Sequence, residues 1–192
     1  MKTYIFHVSL PGTGRVWRKI EIGAEQTLEA LHFAIQNAYD WDADHLYSFF
    51  MSGRAWDEKS EYRLPQGSSP WGFGIEASEE EEEIEASELL EDMFGKDGRQ
   101  MLESLGITAD DVEKTLTGLA ASEESRNVRT TTIESLDLEV GKEFMYLFDY
   151  GDEWRFKVRL HAINENADPD VEYPRVVESV GDAPPQYGFE DF

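Results

Sequence analysis

The chain changes its hydrophobic period once within its first forty residues. Tyr4, Phe6, Val8 and Leu10 alternate with Ile5, His7 and Ser9, the two-residue period of a strand with one buried face. Pro11-Gly12-Thr13-Gly14-Arg15 supplies turn chemistry. Val16, Arg18, Ile20 and Ile22 then alternate with Trp17, Lys19 and Glu21, so a β-hairpin is predicted. Thr27 stands where a helix cap belongs. Beyond it Leu28, Leu31, Ile35, Ala38 and Tyr39 share one helical face, with His32 at its edge. His45 to Met51 reads as a third strand, and residues 54–74 read as loop. Strand patterning returns at Phe144, Tyr146 and Phe148, followed by a turn at Asp149-Tyr150-Gly151-Asp152. Trp154, Phe156, Val158 and Leu160 then alternate with Arg155, Lys157, Arg159 and His161, a second hairpin that is basic on its outer face. The tail from Asn164 reads as irregular.

Between these blocks the pattern is helical. Ser87 precedes Leu89, Leu90, Met93 and Phe94, and Thr108 to Asp111 forms a capping-box variant ahead of Val112, Leu116 and Leu119. The predicted fold class is therefore α+β. A hairpin, helix and strand join a second hairpin, with helices packed on one face of a mostly antiparallel sheet in a β-grasp-like arrangement. One domain spans 1–192. Its core is 1–75 plus 126–192, and 76–125 is an acidic helical insertion entered through a flexible linker at 76–86.

Charge sharpens that division. The chain has a net charge of −24, and residues 76–125 hold 17 acidic against 3 basic residues. Residues 1–75 are close to neutral, with 9 against 7. The run Glu79, Glu80, Glu81, Glu82 and Glu83 reads either as a solvated linker or as a docking tract for a protein partner. The overall field repels phosphate backbones and disfavours direct nucleic-acid binding. Without cysteine there is no disulfide framework, iron–sulfur cluster or thiolate zinc site. No apolar run has the length of a membrane span and the start lacks a signal-peptide pattern, so a soluble, cytoplasmic protein is expected.

Catalytic motifs are missing: the chain has no phosphate-binding GxxxxGK[ST], GxGxxG, HExxH or GxSxG. Asp40, Asp42 and Asp44 begin like a calcium loop, but His45 and Met51 occupy the places of its glycine and its final glutamate. One constellation is left. His45 follows the helix that carries His32, so the two imidazoles could approach each other. With Asp149 or Asp152 they would make a nitrogen–oxygen site for a divalent metal or an acid–base pair, with Trp154 as a wall and Arg18 as an anion contact. No cofactor is required by the sequence.

Three blocks carry a resemblance. The first runs Val16-Trp17-Arg18-Lys19-Ile20-Glu21-Ile22, then Thr27 to Gln36, Trp41 and His45-Leu46-Tyr47-Ser48-Phe49. The second is Tyr146-Leu147-Phe148-Asp149-Tyr150-Gly151-Asp152-Glu153-Trp154. The third is Tyr173-Pro174-Arg175 with Gly181, Pro184 and Pro185. Together they resemble the plasmid pRiA4b Orf-3-like protein family. Two positions depart from it. Phe156 stands where many relatives have histidine, and Gln186-Tyr187-Gly188 replaces the acidic pairs that often follow the double proline. Some members are labelled insertion-element passenger proteins or TnpR-type resolvases, which implies a mobile-element accessory role. The residues themselves show neither a basic DNA-binding composition nor a serine-recombinase signature. The leading expectation is a binding or protein-interaction module without catalytic activity. The alternative is a small enzyme or metal-binding domain built on His32, His45, Asp149 and Asp152.

Overall fold

The computed structural model describes residues 1–65, 68 and 126–187. Its strands are β1 (Thr3–Ser9), β2 (Trp17–Gly23), β3 (Tyr47–Phe50), β4 (Glu61–Arg63), β5 (Glu143–Phe148), β6 (Trp154–Asn164) and β7 (Arg175–Val180), and its helix is α1 (Leu28–Tyr39). The strands form one sheet in the order β4-β3-β5-β6-β1-β2-β7. Every neighbouring pair is antiparallel.

This corrects the expected α+β class, with its helices layered on a sheet, and the β-grasp-like arrangement with it. The described residues are mainly a seven-stranded antiparallel sheet, with a single α-helix on one face. Two segments read as irregular, 54–74 and the tail, supply the edge strands β4 and β7 and widen the sheet. The helices expected within 76–125, the linker 76–86 and the Glu79–Glu83 tract lie outside the described residues.

The alternating positions explain the core. Tyr4, Phe6, Val8, Ile20, Ile22, Phe144, Tyr146, Phe148, Phe156, Val158 and Leu160 are buried beneath α1, which contributes Leu28, Leu31, Ile35 and Tyr39. The Thr27 hydroxyl caps the helix by accepting from the Ala30 amide at 3.3 Å. Its next free amides, on Leu28 and Glu29, donate to Thr131 and Val128 carbonyls, both at 3.0 Å. Asp40 ends the helix in the left-handed region at φ 58°. The chain re-enters at 126 beside β4, where the Val128 amide donates to the Arg63 carbonyl at 3.1 Å.

Candidate functional site

At the end of the sheet where α1 runs into β3, a polar cluster forms around His45. Its Nδ1 lies 2.7 Å from Asp44 Oδ1, and its Nε2 lies 3.6 Å from Asp149 Oδ2, an ion-pair contact beyond hydrogen-bond reach. The Asp149 backbone sits at φ 56°. Its Oδ1 accepts from the Gly151 amide at 2.8 Å, so one carboxylate oxygen holds the turn and the other faces the imidazole. The hydrogen bond to Asp44 raises the His45 pKa, with the charges of Asp149 and Asp152 acting in the same direction and burial against it. Burial would raise the Asp44 carboxyl, but the Tyr187 hydroxyl and His45 outweigh it and hold it below its ordinary value.

The tail completes the cluster. The Gln186 amide brackets Asp42, accepting from its backbone N–H at 2.6 Å and donating to its carbonyl at 3.0 Å. It also donates to Asp44 Oδ1 at 2.9 Å. The Tyr187 hydroxyl donates to Asp44 Oδ2. Trp41 Nε1 donates to the Pro184 carbonyl at 2.8 Å, and the Trp41 ring packs on Trp154 with centroids 4.7 Å apart. Trp154 meets the cluster through Trp41, and its buried Nε1 lacks a hydrogen-bond partner.

His32 is elsewhere. It is fully buried under α1, stacked on Tyr47 at 3.6 Å and 1°. Its Nδ1 meets the Tyr146 hydroxyl at 2.6 Å, which also accepts from Gln36 Nε2 at 2.6 Å. Burial pushes its pKa down to about 3. Phe148 stands between the two histidines, packing on both at centroid distances of 6.2 and 5.9 Å. The structure therefore brings His45, Asp149, Asp152 and Trp154 into one neighbourhood and leaves His32 out of it. Among the described residues no group of three His, Asp or Glu side chains is placed to hold a metal ion.

Arg18 also points away from the cluster. Its Nε donates to the Ala38 carbonyl at 2.8 Å. Its Nη1 donates to the carbonyls of Trp17, Val180 and Gly181 at 2.9, 3.0 and 3.1 Å. The guanidinium lies 4.8 Å over the Tyr39 ring. It binds the end of α1 to the end of β7, and its donors face carbonyls, not an anion.

A second surface is the sheet face turned away from α1. Pairing registers place Glu143, Arg159, His7, Lys19 and Glu178 in one cross-strand row, and Met145, Lys157, Ser9, Trp17 and Val180 in the next. Arg155, Lys157, Arg159 and His161 are exposed. His7 packs on Trp17 at 4.8 Å, and Lys19 Nζ lies 5.7 Å over the same indole. Burial first, then the charges of Lys19, His161 and Arg159, hold the His7 pKa below its ordinary value. Glu178 pairs with Lys19 at 2.8 Å and Glu143 with Lys157 at 2.9 Å. Arg159 and His161 have no ion-pair partner among the described residues. The β6 alternation gave part of this strip in the sequence. What it could not give was the register that adds His7, Trp17 and Lys19.

A family model described as plasmid pRiA4b ORF-3-like protein matches residues 2–188. No curated protein matches. Among solved structures, the crystal structure of a protein of unknown function, MM3350 from Methanosarcina mazei Go1, aligns with a TM-score of 0.53 at 20% identity, covering 96% of this chain and 72% of that one. That likeness is one of fold. No described helix is long and apolar enough to cross a membrane.

Proposed function

The chain belongs to the plasmid pRiA4b ORF-3-like family, and we propose that it works as a protein-interaction module whose open sheet face takes an acidic segment of a partner protein. The observation that supports this reading is the exposed row Arg155, Lys157 and Arg159 on β6, across β1 from Trp17 and Lys19 of β2, in a chain whose net charge is −24. At physiological ionic strength fields decay over about 8 Å. Adjacent strands lie about 5 Å apart, so a ligand resting on this face responds to the local cations more than to remote acids. Arg159 supplies charge not already matched among the described residues, and the indole supplies an apolar contact for the ligand's backbone or methylenes. The geometry favours this reading over a metal or acid–base site with His32, because that imidazole is buried and engaged with Tyr146.

Fluorescence anisotropy with a labelled polyglutamate peptide tests it. Saturable binding is expected, weakening as salt rises and falling at least tenfold in a Lys157→Glu/Arg159→Glu variant that keeps the parent's circular dichroism. Absence of binding would overturn the proposal, as would binding that ignores the double substitution. Tighter capture of a single-stranded oligonucleotide by the same face would also overturn it in favour of nucleic acid.

A further inference from the structure

We infer that β7 is a self-association edge, pairing antiparallel with β7 of a second copy of this chain across a two-fold axis. Among the described residues nothing pairs with the outer side of β7. Its segment Arg175-Val176-Val177-Glu178 leaves Val176 and Val177 exposed at 44% and 42%, side by side on an open edge. Natural edge strands are usually guarded by charges or by a bulge, and β7 carries a bulge at Val177. Here both charges are drawn back onto the strand's own sheet: Arg175 Nη2 lies 2.7 Å from Glu21 Oε2, and Glu178 Oε2 lies 2.8 Å from Lys19 Nζ.

The bulge makes the segment self-complementary. In a regular strand, residues three apart face opposite sides of a sheet. In β7 the register shifts by one residue between Val176 and Glu178, which pair with Ile20 and Lys19. Arg175 and Glu178 therefore come to lie on the same face, beside Glu21 and Lys19 of β2. A two-fold axis between Val176 and Val177 would set each Arg175 opposite Glu178 of the other copy, and each Val176 opposite Val177. Cross-strand pairs of these kinds are the favourable ones. The result is an isologous interface in which residue i meets j and j meets i. Each charged end would then read Lys19, Glu178, then Arg175 and Glu21 of the second copy, alternating in sign. Side chains of Arg175 and Glu178 remain 47% and 49% exposed, so each has room for this second partner.

The test is sedimentation equilibrium or native mass spectrometry on the full chain. A dimer at twice 22.0 kDa is expected, and Val177→Lys should convert it to monomer. The charge arrangement allows a sharper experiment. Arg175→Glu alone and Glu178→Arg alone each put like charges opposite one another and should be monomeric. Mixed in equal amounts they restore both opposite-sign pairs and should form the heterodimer. Two substitutions that merely damaged folding would not rescue each other. A monomeric parent chain across the accessible concentration range overturns the inference. A dimer that survives Val177→Lys overturns it too, and so do single charge variants that stay monomeric when mixed.

Discussion

His32 shows how a single burial decision sets a chemical property. The helical wheel puts it at the margin of the apolar face, yet it is wholly enclosed and its pKa is pushed down to about 3. The ring is therefore neutral in the folded protein at any pH near neutrality, whereas in the unfolded chain it protonates around 6.5. As pH falls below that value, the unfolded state takes up a proton that the native state refuses. Stability is lost with acidification, at about 1.4 kcal/mol per pH unit between the two pKa values. From pH 7 to pH 5 this amounts to about 2 kcal/mol. His32→Leu should flatten that part of the pH–stability curve relative to the parent, because Gln36 still serves the Tyr146 hydroxyl. Urea unfolding at the two pH values checks it, and equal slopes in parent and variant would contradict it. His45 has the opposite sign. Its raised pKa, set first by the bond to Asp44, favours the folded state below its unfolded pKa, and that contribution disappears as pH rises through the folded one.

At the scale of elements, legibility followed burial. β1, β2, α1, β5 and β6 could be read because each has a covered and a more open face, and β3 because it is a short apolar run buried along its whole length. β4 has only three residues, and β7 is exposed along nearly its whole length with its period broken at Val177, so neither imprints a pattern. The site was legible to the same limited degree. His45 and the Asp149 turn could be singled out by residue type, but Gln186 and Tyr187 reach Asp44 from more than 140 residues away, and no local spacing encodes that contact. What holds β7 in place is similarly non-local. Arg18 accepts the job of joining the Ala38, Val180 and Gly181 carbonyls, and Gly181 sits at φ +74° with an added Cβ falling 2.3 Å from the Arg15 carbonyl oxygen. Gly181→Ala should therefore destabilise by about 2 kcal/mol or more, combining left-handed strain with a backbone clash. Hydrogen exchange should quicken across 175–180 before it changes in β1 or β6. Unchanged β7 protection would show that the strand is held independently of this turn.

For the molecule as a whole, charge and salt should act in opposite directions on stability and on recognition. A net charge of −24 repels itself in the compact state more than in the expanded chain, so screening favours folding. The melting temperature at pH 7 should rise as sodium chloride is raised from low concentration towards about 0.5 M, where the Debye length is well under 8 Å. For a chain of this size each kcal/mol relieved is worth about 3 °C. The open face is the exception within that field, because its cations gather on β6 and β2, on either side of β1, while most of the acidity lies in other segments. Screening there removes attraction, so polyglutamate binding should weaken over the same salt range in which the fold gains stability. Measuring both on one preparation separates the two effects. Melting temperature and affinity moving together would mean that the acidic ligand is held by something other than the cationic strip. A flat melting temperature would mean that the acidic segments are already spaced widely enough, or paired closely enough, to carry no net repulsion.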